Sequence, residues 1–292
     1  MPDERAIQTQ DGRTLAVVEG GDPRGRPVLV HHGTPGSALL YPPLESLARE
    51  MGVRLLSYDR SGYGGSTRTP ERRVADCVVD VHAIADALEL DRLAAIGFSG
   101  GGPHALACAA LCDGRLAAAA LLGSVAPYGV DGLDWLADMG EANVVETNAS
   151  LEGEAALRAY LEPAREEHLR ATPAELLDLF ATLAGAADRE VLSGPLASWQ
   201  LDSGRRGLRD GVDGWLDDDF AFVCGWGFDV AEVDRPVLLL HGEDDRFVPV
   251  AHARWLAERI PGVDARIGAD DGHLTLLARR SRETIEWLLE RL

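Results

Sequence analysis

Apolar positions along the chain follow two rhythms. Short, nearly continuous apolar runs at 27–31, 53–58, 93–98, 116–122 and 236–240 have the length of strands buried on both faces of a parallel sheet. Between them the spacing turns helical. Over 74–90 the apolar residues Val74, Cys77, Val78, Val81, Ile84, Ala85 and Leu88 share one helix face. Further helices are predicted over 44–51, 100–112, 250–260 and 274–292, and a last strand over 263–267. At the start, alternating stretches at 6–10 and 13–19 flank Asp11-Gly12, the signature of a hairpin with a two-residue turn. Strands alternating with helices imply parallel pairing through right-handed crossovers, so the sheet is mixed only at its antiparallel start.

The alternation stops at about Val125 and resumes after Asp234. The stretch between reads as helices at 151–169 and 173–184, with shorter pieces around Leu208 and Trp215. A structureless loop of roughly 110 residues is implausible in a compact protein. We therefore expect an α/β core of residues 1–124 and 235–292 and a helical cap insertion of residues 125–234. Open α/β sheets bind ligands at the carboxyl ends of their strands, where such an insertion would sit. It holds Trp135, Trp199, Trp215 and Trp226, which suggest an apolar pocket roof.

Charge narrows the partners. The 292 residues carry 28 basic and 48 acidic side chains, a net charge of −20, which disfavours nucleic acid and anionic membrane surfaces alike. Every basic residue is Arg, so no Schiff-base or phosphate-binding lysine is available. No apolar run reaches the ~18 residues of a membrane span. Met1-Pro2-Asp3-Glu4-Arg5 lacks a basic segment leading into an apolar one, so no leader is visible. Cys77, Cys108, Cys112 and Cys224 match no zinc spacing and read as free thiols, buried or half-buried. The expectation is a cytoplasmic protein without metal or cofactor, acting on a small molecule; oligomeric state is not readable.

Candidate chemistry gathers at the strand ends. Gly97-Phe98-Ser99-Gly100-Gly101 is G-x-S-x-G between a strand and a helix, a turn sharp enough to expose a nucleophilic serine. Asp244-Asp245 follows the strand at 236–240, and His273 follows the last strand. A serine needs a base, and the base needs a carboxylate to fix its tautomer. The order Ser…Asp…His supplies Ser99, a carboxylate and His273. After the first core strand, His31-His32-Gly33-Thr34-Pro35-Gly36 can present the Thr34 N–H beside that of Gly100, two donors for a developing oxyanion. Pro35 has no N–H to give.

These stretches, HHGTPGS at 31–37, YDRSGYGGS at 58–66, GFSGGGPHAL at 97–106, HGEDDRFVP at 241–249 and DGHLTLL at 271–277, resemble the serine α/β-hydrolases along the whole chain. The resemblance implies an α/β-hydrolase fold: a mostly parallel eight-stranded sheet, helices on both faces and a helical cap insertion. It also implies that the aspartate directly before Arg246-Phe247-Val248-Pro249, Asp245 rather than Asp244, is the triad acid. Thr34 and Gly100 would form the oxyanion hole. Relatives with an aspartate nucleophile are disfavoured by Ser99. HGTPG is similar to the HGGPG of proline iminopeptidases, with Thr34 in place of a glycine.

The implied activity is hydrolysis of a small to medium carboxylic ester through an acyl-enzyme. One alternative is an aminopeptidase or amidase of the proline iminopeptidase type. It would need a carboxylate such as Asp138, Glu141 or Glu146 for a substrate ammonium. Another is a non-hydrolytic enzyme or small-molecule binder on the same scaffold. Asp59-Arg60, His32, His104 and His241 read as structural. Asp217–Asp219 reads as a solvated charged face, and Asp270 and Asp271 as weaker competitors for orienting His273.

Overall fold

The computed structural model describes residues 3–292. Met1 and Pro2, part of the stretch read for a leader, lie outside them. Numbered in chain order, the strands are β1 (Asp3–Gln8), β2 (Thr14–Gly21), β3 (Arg26–His31), β4 (Val53–Tyr58), β5 (Leu93–Phe98), β6 (Leu116–Leu122), β7 (Val237–Gly242) and β8 (Asp264–Gly268). They form one sheet in the order β1-β2-β4-β3-β5-β6-β7-β8. Only β2 runs against the rest. The mostly parallel eight-stranded sheet is therefore present.

Strand alternation divides the core in two. Leu29, Leu56, Ala95, Leu121 and Leu239 pack on one face with the helices α2 (Cys77–Ala87) and α3 (Gly102–Leu111). Val28, Leu55, Ile96, Leu122 and Leu240 pack on the other with α1 (Pro42–Glu50). Because every residue of β5, β6 and β7 is buried, these strands read as continuous apolar runs rather than alternations.

Six helices occupy the stretch between β6 and β7: α4 (Glu141–Glu152), α5 (Glu154–Arg170), α6 (Leu176–Leu179), α7 (Ala186–Val191), α8 (Gly194–Gly207) and α9 (Asp213–Val223). The chain then continues through α10 (Val250–Arg259), α11 (Leu274–Arg279) and α12 (Ser281–Leu289). In the helical segment, Leu157 and Leu161 of α5 pack against Leu208, Val212, Trp215 and Leu216 in a small cluster shared with Tyr63 from the loop after β4.

Several boundaries differ from the sequence reading. The hairpin closes through residues 9–13 instead of a two-residue turn, because Thr9 and Arg13 pair across the loop. The helix expected over 151–169 is broken at Gly153 (φ +115°), which separates α4 from α5. The helix expected over 173–184 shrinks to one turn, and that over 274–292 is split into α11 and α12 at Arg280. Cys77, Cys108 and Cys112 are buried and Cys224 is exposed; all four are free. No helix of the described residues is long and apolar enough to cross a membrane.

Candidate active site

Ser99 stands at the end of β5, where the chain turns into a single 3₁₀ turn (Ser99–Gly101) and then α3. Its φ of +53° is a left-handed conformation that a side-chain-bearing residue adopts at a cost, held by the packed strand and helix on either side. Ser99 lines a cavity of about 280 Å³, together with Thr34, Gly100, Phe98, Phe247 and His273.

His273 precedes α11. Its Nδ1 is 2.7 Å from Asp245 Oδ2. The other carboxylate oxygen of Asp245 accepts the Val248 N–H at 2.8 Å, which fixes the loop after β7. The imidazole is stacked on Phe247 (4.7 Å between centroids) and tilted against Phe98 (5.1 Å). Gly123, in a left-handed conformation, leaves room behind it; a Cβ there would lie 2.8 Å from Nδ1. Burial pushes the His273 imidazole down, but the charge and hydrogen bond of Asp245, aided by Asp188, outweigh it and raise its pKa above the usual value.

Of the neighbouring carboxylates, Asp244 turns away and accepts the Ala187 N–H at 3.2 Å. Asp271 meets Thr275 Oγ1 and Arg280 rather than His273. No hydrogen bond between Asp270 and His273 is found among the described residues. Ser99 and His273 line one cavity, and the imidazole takes Asp245 as its carboxylate partner. Thr34 and Gly100 are side by side, since a Cβ on Gly100 would collide with Thr34 Oγ1. The Thr34–Pro35 peptide is cis.

The surrounding histidines have structural partners. His32 Nδ1 lies 2.7 Å from the Gly33 carbonyl, and its Nε2 accepts the Arg60 N–H. His104 Nδ1 lies 2.9 Å from the Gly100 carbonyl. His241 Nε2 lies 2.8 Å from the Val248 carbonyl. Asp59 braces the turn through the Ala38 and Gly65 N–H groups.

The solvated-face reading of Asp217–Asp219 is overturned: all three are buried, and Asp218 is 0% exposed. Successive helical residues point about 100° apart, so each finds different partners. Asp217 pairs with Arg68 at 2.8 Å. Asp218 accepts from Arg72 (2.6 Å), Thr34 Oγ1 (2.7 Å), Tyr63 Oη (3.0 Å) and Arg60. Burial alone would push its carboxyl up, but the two guanidiniums hold it well below the usual carboxylate range. Asp219 lines the cavity with Glu146. Burial pushes the Glu146 carboxyl up against the hydrogen bonds it makes, and burial together with the neighbouring Glu146 pushes that of Asp219 well above the usual carboxylate range. Trp215 Nε1 donates to Glu146 at 2.7 Å.

A family model described as the alpha/beta hydrolase fold matches residues 26–279. The chain belongs to the α/β-hydrolase family. Among similar members of the family, a non-heme chloroperoxidase of Streptomyces lividans is 29% identical over 266 residues, covering 85% of this chain and 84% of that one. A bifunctional esterase/perhydrolase of Acinetobacter calcoaceticus is 26% identical over 253 residues, covering 83% of each. Among solved structures, an esterase from Exiguobacterium antarcticum superposes with a TM-score of 0.67 at 19% identity, covering 99% of both chains. That last likeness concerns the fold alone. As an α/β-hydrolase, the chain departs from its sequence reading chiefly in the helical segment. Asp188 and Asp218 of that segment touch the candidate machinery; the sequence reading does not single out the first and takes the second for part of a solvated face.

Proposed function

We propose that this α/β-hydrolase is a serine hydrolase that cleaves small to medium carboxylic esters. The observation that carries the reading is the 2.7 Å Asp245–His273 contact in the cavity wall that also holds Ser99 on its strained turn. In the proposed reaction His273 takes the Ser99 proton as Oγ attacks the ester carbonyl. The Thr34 and Gly100 N–H groups receive the oxyanion. Collapse expels the alcohol, protonated by His273, and leaves an acyl group on Ser99. Water, deprotonated by His273, attacks the acyl carbon and releases the acid. Asp245 holds the imidazole in the tautomer that presents a free Nε2 to the serine.

The helices between β6 and β7 act as a cap in this reading, supplying cavity residues from Ala142 of α4 to Val223 of α9. A cavity of about 280 Å³ suits a substrate of modest size. Turnover of p-nitrophenyl esters of increasing acyl length, measured beside Ser99→Ala, tests it. The expected result is an optimum at short to medium chains and a loss of about 10⁶ in kcat for the variant. Full activity in Ser99→Ala refutes the mechanism.

A second reading, amide cleavage, draws on one observation. Of the three carboxylates considered for a substrate ammonium, Glu146 lines the cavity, whereas Asp138 and Glu141 face a separate depression beside Asp244 and Arg246. Turnover of aminoacyl amides in excess of esters would favour that reading.

A further inference from the structure

We propose that the cap does more than roof the pocket: Asp188 of α7 and Asp218 of α9 are positioning residues, the first for His273 and the second for the oxyanion loop. This inference rests on the serine-hydrolase reading above.

Asp188 is 0% exposed and reaches from the cap to the start of α11. Its Oδ2 accepts the His273 N–H at 2.9 Å, and its Oδ1 accepts those of Leu274 (2.7 Å) and Thr275 (3.2 Å). The first N–H groups of a helix have no partner within it. Here the nearest candidate on the same loop, Asp271, is engaged by Thr275 Oγ1 and Arg280, and a carboxylate from another element takes the role. The backbone of His273 is thus held from the cap, while its ring is held by Asp245 and the two phenyl groups. With both oxygens accepting N–H groups, Asp188 fits as a carboxylate.

Asp218 does the corresponding work on the other side of the cavity. It accepts the Thr34 hydroxyl and the guanidinium of Arg60. Arg60 in turn donates to the carbonyls of His32 and Gly33. The loop that presents the Thr34 N–H is therefore tied at its side chain and along its backbone to one buried carboxylate of the cap. Neither aspartate lines the cavity, so each acts through another residue.

Charge separates positioning from mere support. The titratable groups around His273 are Asp245, Asp188, His241 behind Asp245, and Asp271, which Arg280 neutralises. Removing the Asp188 charge lowers the affinity of His273 for a proton. The acid limb of kcat/KM for ester hydrolysis then moves to lower pH in Asp188→Asn, by about half a unit or more. A purely structural role would lower the plateau and leave the limb in place. Asp188→Ser, which also removes the charge, replaces Asn if that variant does not fold. An unmoved limb in a folded variant overturns the assignment, as does failure of both variants to fold.

For Asp218 the test spares the buried charges. Thr34→Val keeps the backbone N–H and removes only the hydroxyl. We expect kcat to fall about tenfold, short of the 10²–10³ for outright loss of a donor, with KM within about twofold and Thr34→Ser restoring the rate. Wild-type kcat in Thr34→Val, or no rescue by serine, overturns the assignment. Ser99→Ala run in parallel separates the two layers. Activity that survives it refutes the hydrolase reading; Ser99-dependent activity with the wrong limb or kcat refutes only the roles of Asp188 and Asp218.

Discussion

Asp244 and Asp245 are neighbours in sequence and part company in the fold. One accepts an N–H from α7 and the other meets His273. Asp245→Asn should lower kcat by about 10⁴, because the amide favours the wrong imidazole tautomer, whereas Asp244→Asn should cost far less. Steady-state kinetics of the two variants on one ester checks this; equal losses would assign the wrong aspartate. These positions were legible because each depends on a local pattern, a strand followed by a turn residue of the right type. Asp188 and Asp218 were not. Their decisive partners, His273 and Thr34, lie 85 and 184 residues away in the chain. Three adjacent aspartates look like a solvated face until the arginines that meet them are placed. Arg60 and Arg72 come from the loop after β4, where nothing local points to α9.

Among the elements, the core strands and their order along the chain were readable, since total burial of β5, β6 and β7 leaves an unbroken apolar run. The helical segment was less so. Its helices range from one turn in α6 to 17 residues in α5, and their ends are set by tertiary contacts and single residues. Gly153 shows this at φ +115° and ψ 179°, a region essentially reserved for glycine, with open space around its Cβ position. If α4 and α5 were one helix, Gly153→Ala would stabilise the protein. With the break in place, it should destabilise by about 1–3 kcal/mol, read from the midpoint of chemical denaturation. A stabilised variant would mean that the break is wrong.

Over the whole molecule, the sheet brings the ends of β3, β5 and β7 to one edge, and residues of the helical segment line the cavity there. Loop residues from distant parts of the chain thereby meet: Thr34 after β3, Ser99 after β5 and His273 after β8 line one cavity, and Asp245 after β7 meets His273 from behind. The α/β alternation made that convergence foreseeable; the seating of the helices above it depends on side-chain partners between separate elements. The central claim is that an ester's acyl group passes through Ser99. Rapid-quench mass spectrometry during turnover of p-nitrophenyl acetate tests it most directly. We predict a transient acetyl adduct that maps to Ser99 and is absent from Ser99→Ala, together with loss of turnover in that variant. Turnover without an adduct in the wild type and undiminished in Ser99→Ala would contradict the account.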